Sequence, residues 1–154
     1  MAITAGEPAV ALGFYETVLD YHPQELTTWL NLANLEARSG NTRALIRSLD
    51  LAIEANPDAL EPRLQLANYY LEAGELGNIE PLFDEVSALQ RRSTRALELM
   101  ARAQLGLNKH QDALATLKQW VEEAPESTQA HYLLGLTASA TGDSAGSKQA
   151  LQTA

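Results

Sequence analysis

The chain has 154 residues, enough to bury most of the apolar surface of one ordinary domain, and it has no cysteine, which excludes disulfides, thiolate metal sites and cysteine nucleophiles. Twenty acidic against eleven basic residues give a net charge of −9, which repels polyanions and argues against nucleic acid as a partner. No stretch approaches the roughly 20 apolar residues of a membrane span, and the start "MAITAGEPAV" lacks the basic head and apolar core of a signal peptide, so the chain reads as soluble, cytoplasmic or periplasmic, without membrane insertion.

The predicted elements follow a period of 34 residues, marked by Pro23 and Pro57 and again by Pro125, with Arg91 at the intervening node. Gly6, Gly40, Gly74 and Gly142 keep the same lattice, and Asn108, which tolerates a left-handed backbone, stands where a fourth glycine would. The first residues match only the last turn of a helix before Gly6, followed by a lone helix from about Pro8 to Tyr21. From Leu26 the apolar residues recur at helical spacing: Trp29, Leu32, Ala33 and Leu35, then Leu45, Leu49, Ala52 and Ile53. Glycine ends the first helix of this pair and proline the second, which makes residues 26–59 a helical hairpin. Residues 60–93 form the next unit, where Pro81 is tolerable only in a first turn, so its second helix is expected to start late, around Ile79 or Glu80. Residues 94–127 form a third, and a partial unit spans 128–154. Ala33, Ala67, Ala101 and Gly135 share one lattice position, where small side chains let two helices approach closely.

A 34-residue helix-turn-helix of this pattern resembles the tetratricopeptide repeat family. Trp29, Leu32, Ala33, Gly40, Ala52 and Pro57 stand in the family's characteristic places, as do Leu66, Ala67, Tyr70, Gly74 and Phe83 in the next unit. Leu97, Ala101, Ala113, Leu114, Leu117 and Pro125 do so in the third, and Leu134, Gly135, Gly142, Asp143, Leu151 and Ala154 in the fourth. The resemblance implies one all-α domain over residues 1–154, a right-handed α-solenoid of antiparallel helix pairs forming a superhelix. Departures from the pattern are Arg63 and His131 in place of a large apolar residue, Glu36 and Gln104 in place of an aromatic, and Trp120 where alanine is usual. Both ends cut the lattice without a polar capping helix. The expectation is a segment of a longer, bacterial-type array, prone to end-to-end self-association.

The function implied is a non-catalytic scaffold for protein-protein interaction, holding a peptide, a helix or a neighbouring subunit in a concave groove. The family's groove positions here include Leu30, Asn34, Leu64, Asn68, Arg95, Arg102 and Tyr132. Arg91, Arg92, Arg95, Arg102 and Lys109 crowd into the stretch from Arg91 to Lys109 against the single acid Glu98, in an otherwise acidic chain. Asparagines there can bond a peptide backbone and arginines can fork onto a carboxylate, so an acidic or C-terminal peptide is the expected ligand, unless the arginines pair with neighbouring acids. Chaperone-tail-binding members use a lysine at the position of Leu30 and a basic residue at that of Leu99, so that clamp is incomplete. The alternative is an accessory module of a bacterial envelope machine for exopolysaccharide export or protein sorting, which the alanine- and leucine-rich style resembles.

Sharper chemical readings fail on context. "GDSAG" at 142–146 satisfies the G-x-S-x-G elbow of hydrolases, but no strand precedes Ser144, and the pentapeptide reads as a helix-helix turn capped by Asp143 or Ser144. His22, His110 and His131 lack metal-ligand spacing, so no metal, cofactor or catalytic residue is expected, and His131 is expected to pack. Trp29 and Trp120 are expected in the core. The pairs Asp84-Glu85 and Glu122-Glu123 fit a solvated face.

Overall fold

The computed structural model describes residues 6–142, and all the regular structure among them is helical. In order come α1 (Gly6–Tyr21), α2 (Leu26–Arg38), α3 (Thr42–Ala55) and α4 (Glu61–Ala73), then the 3-10 turns Leu76–Asn78 and Glu80–Phe83. The chain continues with α5 (Ala88–Arg91), α6 (Thr94–Gly106), α7 (His110–Glu123) and α8 (Thr128–Thr141). Two compact units, Met1–Leu66 and Ala67–Ala154, divide within α4.

The glycine lattice works as backbone chemistry demands. Gly40 (φ 71°), Gly74 (φ 76°), Asn108 (φ 59°) and Gly142 (φ 79°) take the left-handed conformation. The residue after each of the first three donates back across the last turn: Asn41 N–H to the Glu36 carbonyl at 2.9 Å, Glu75 to Tyr70 at 2.8 Å, Lys109 to Gln104 at 2.8 Å. These closures satisfy carbonyls that the helix end would leave bare. Gly6 departs from the lattice: it opens α1, so that helix starts before the expected Pro8. Pro23, Pro57 and Pro125 fall in the turns after α1, α3 and α7, where no further N–H is required of them. Of the "GDSAG" pentapeptide, Gly142 caps the C-terminus of α8, and no strand leads into it. Ser144 and the rest lie outside the described residues.

In the first unit α2 packs on both α1 and α3. Leu19, Leu32, Ala33, Leu45, Leu49 and Ala52 form its core, and Ala33 and Ala52 are wholly enclosed. In the second, α7 packs between α6 and α8 over Leu97, Leu99, Ala101, Leu117 and Leu134. Trp120 is buried there as expected.

The second helix expected over the stretch from Ile79 to Arg91 does not form. Gly77 and Asn78 are poor helix formers in its first turn, and the Pro81 ring would collide with the Gly77 carbonyl if the helix began at Leu76, as the lattice would have it. Two 3-10 turns result, followed by bends and by the single turn α5. Ser87 starts α5 with a capping box, its hydroxyl accepting from the Gln90 N–H while the Gln90 side chain accepts from the Ser87 N–H. Arg91, at the node held by proline elsewhere, donates from Nε to the Phe83 carbonyl at 3.1 Å and from Nη2 to the Asp84 carbonyl at 2.8 Å. Ile79, Phe83 and Val86 still point inward, because their spacing keeps them on one side despite the broken ladder.

Candidate interaction surfaces

Each first helix turns one side inward, so the opposite side is fixed by default. On α2 the inward residues are Leu32, Ala33 and Glu36, which leaves Asn34 exposed and Leu30 half-buried. Leu64 on α4 is likewise half-buried. These three expected site residues belong to the first unit.

In the second unit the outward side carries a continuous polar chain. Asn68 Nδ2 donates to Glu72 Oε1 at 2.8 Å, and Arg95 Nη2 donates to Asn68 Oδ1 at 2.7 Å. Arg95 Nη1 meets Glu98 Oε2 at 2.8 Å, and Arg102 Nη2 meets Glu98 Oε1 at 3.3 Å. Glu98 lies one turn of α6 from each arginine, so both meet a single carboxylate in the i,i+3 and i,i+4 geometry of a helix surface. Glu98 is the organising residue: its side chain is 15% exposed, while Arg95 and Arg102 are 48% and 42% exposed. Tyr132, 52% exposed, and Leu136, 48% exposed, give α8 an apolar outward surface. Leu99, the other position of the chaperone-tail clamp, is fully enclosed and could not present a charge outward.

The other basic residues of this unit are also engaged. Arg92 pairs with Glu122 and Glu123, so that acidic pair anchors a loop besides meeting solvent. Lys109 Nζ donates to Glu80 Oε2 at 2.7 Å and Gln104 Nε2 to Glu80 Oε1 at 2.8 Å. Burial alone would raise the Glu80 carboxyl, but the bonds from Lys109 and Gln104 outweigh it and hold the group below its ordinary value. Lys109 is raised in turn, chiefly by its bond to Glu80.

Three of the four residues at the first-helix position of Trp29 turn out to share one task. Trp29 Nε1 donates to the Pro23 carbonyl at 2.7 Å, Arg63 Nη2 to Pro57 at 3.2 Å, and His131 Nε2 to Pro125 at 2.8 Å. An imidazole nitrogen bonds a carbonyl oxygen only as an N–H donor, so this contact requires the Nε2–H form of His131. His131 is packed as expected, and Arg63 is buried. Trp29 differs from its expected core role: it is half-buried and lines a cavity.

That cavity, about 660 Å³, lies in the first unit, with α1 and α3 as walls and α2 as floor. Leu12, Leu19, Leu32 and Leu51 supply apolar lining; Glu16, Asp20, Glu36, Arg43 and Arg47 supply charge. Glu36 is 8% exposed, and its Oε2 has no hydrogen-bond partner among the described residues. Burial pushes its carboxyl above the ordinary value, opposed by the Ser48 hydroxyl and Arg47 and assisted by Glu16. Asp50 is also raised, by burial and by Glu54 one turn on. Among the described residues no three histidine or carboxylate side chains converge in a way that could hold a metal, and no helix is long and apolar enough to cross a membrane.

A sequence profile of the tetratricopeptide repeat matches residues 70–137. No curated protein sequence matches the chain. Among solved structures the chain is similar to a crystal structure of MamA, with a TM-score of 0.76 at 20% identity, covering 99% of this chain and 95% of that one. MamA 41-end from Desulfovibrio magneticus RS-1 gives 0.73 at 18% identity, covering 96% and 82%. YrrB, described as a TPR protein with an unusual peptide-binding site, gives 0.74 at 16% identity, covering 97% and 77%. Likeness at these identities establishes fold. Residues 70–137 therefore carry the tetratricopeptide-repeat pattern, and the fold of the chain is similar to that of the tetratricopeptide-repeat protein YrrB.

Proposed function

We propose that the protein is a non-catalytic interaction scaffold, and that the outward side of its second unit captures an acidic or C-terminal peptide segment of a partner. Both arginines do pair with a neighbouring acid, Glu98, and the supporting observation is that their side chains stay 48% and 42% exposed in that pairing. An incoming carboxylate replaces Glu98 at the outer edge of one guanidinium and gains a planar two-point contact. Asn68 then offers its amide to the ligand backbone, and Tyr132 and Leu136 give apolar side chains a surface. On the first unit, Leu30, Asn34 and Leu64 provide a second patch of the same mixed character. A preformed helical surface keeps the ordering cost of binding low. The peptide-binding site named for YrrB agrees with this class of function. The envelope-machine alternative rests on sequence style alone.

The test is a binding assay of the full chain against an immobilised library of acidic and free-carboxylate peptides. Arg95→Glu combined with Arg102→Glu should reduce capture at least tenfold with almost no change in melting temperature, since exposed pairs contribute about 0–1 kcal/mol. Glu98→Gln should strengthen capture, because an internal competitor for both arginines is gone. Undiminished capture by the double arginine variant would refute the assignment.

A further inference from the structure

The charges of the first unit are arranged unlike those of the second. In the second unit Arg92, Arg95, Arg102 and Lys109 all have carboxylate partners. In the first unit, Glu16 and Asp20 on α1 and Arg43 and Arg47 on α3 all border the same cavity, and no ion pair among the described residues ties any of the four. Each pair is one helical turn apart, so one wall of the cavity is negative and the opposite wall positive. Between them lies an apolar floor with the Trp29 ring and the Glu36 carboxyl, whose Oε2 is buried without a partner. A buried carboxylate oxygen left unbonded is costly, and a donor that reached it would recover that cost.

We propose that this cavity is a docking site for a peptide segment of another protein that carries a lysine or arginine and an acidic residue on either side of an apolar side chain. Charge complementarity fixes the occupant. The basic group lies against Glu16 and Asp20, passes over the face of Trp29 and supplies the missing donor to Glu36. The acidic group lies against Arg43 and Arg47, and the apolar side chain between them fills the space over Leu32. A volume of about 660 Å³ is in the range of pockets that enclose several side chains. A nucleic acid would meet three carboxylates, and a purely acidic peptide would satisfy only one wall. The raised Glu36 carboxyl agrees with a group whose charge awaits a counterion. The site is separate from the Arg95 and Arg102 surface and stands or falls independently of it.

The test uses the full chain and end-capped synthetic ten-residue peptides holding one lysine, two central leucines and one glutamate, with the lysine-glutamate spacing varied. A control series replaces both charged residues by glutamine. Titration calorimetry on the wild-type protein gives affinity, and the emission of Trp29 in a Trp120→Phe background reports the location. At least one charged peptide should bind saturably and shift Trp29 emission. Binding should weaken at least tenfold in Glu36→Gln and in the surface variant Arg43→Glu with Arg47→Glu, each checked for native helicity. In the latter, a peptide whose glutamate is changed to lysine should recover affinity. Arg95→Glu with Arg102→Glu should leave this binding unchanged. The proposal is overturned if no peptide in the series binds, if the glutamine controls bind equally, if the Arg43 and Arg47 reversal has no effect, or if free N-acetyl-lysine amide produces the full response by itself.

Discussion

Trp29, Arg63 and His131 differ in size, charge and polarity, yet each puts an N–H on the carbonyl of the proline six residues earlier. That carbonyl sits in a turn between helices, and a partly buried carbonyl without a donor costs about 1–3 kcal/mol. In the third unit, the same position holds Leu97 and the node holds Arg91 in place of proline, so donor and proline are present together or absent together. Sequence reading sees Arg63 and His131 as breaks in an apolar pattern, because that pattern records burial and not hydrogen bonding. The signal that was available is the fixed interval of six between proline and an N–H-bearing side chain. His131→Phe should therefore lower stability by about 1 kcal/mol in urea unfolding despite its larger apolar area. An unchanged or raised midpoint would show that the Pro125 carbonyl needs no donor.

At the scale of the element, the stretch from Leu76 to Arg91 shows where local chemistry defeats a repeat. The apolar spacing of Ile79, Phe83 and Val86 is that of a helix, and it does bury those residues. Pro81 and Gly77 deny the segment a regular ladder, so its fixing points are side chains: Arg91 on two carbonyls, and Glu80 held by Lys109 and Gln104. Gln104, which replaces the family's aromatic, thereby has a task the lattice does not reveal. Because the fold holds the Glu80 carboxyl below its ordinary value, its stabilising contribution is full above the ordinary carboxylate range and is lost as pH falls through the depressed value. Glu80→Gln should accordingly be less stable than wild type by about 1 kcal/mol at pH 7, with the two melting curves converging in acid. A difference that persists undiminished as the pH falls far below the ordinary carboxylate range would contradict the ionic role.

At the scale of the whole molecule, burial is uneven. Seven residues of α6 are buried, from Ala96 to Gln104, against three on α2, Leu32, Ala33 and Glu36. Repeat arrays open locally where buried contacts are few. Amide exchange should consequently be slowest along α6, between Leu97 and Ala103, and faster along α2; equal protection in both would refute this ranking.

The 34-residue period, the helix ends at Gly40, Gly74 and Asn108, and the turns at Pro23, Pro57 and Pro125 were all determined by the sequence, because each rests on a backbone constraint local to a few residues. Asn34, Asn68, Arg95 and Arg102 were named as groove positions by the family resemblance. What the tertiary structure alone decided is which charges meet. Arg95 bonds Asn68 from 27 residues away and Lys109 reaches Glu80 across 29. Glu16, Asp20, Arg43 and Arg47 line one cavity with no ion pair among the described residues. Such partnerships depend on where helices come to lie and on side-chain reach, and no one-dimensional pattern encodes either.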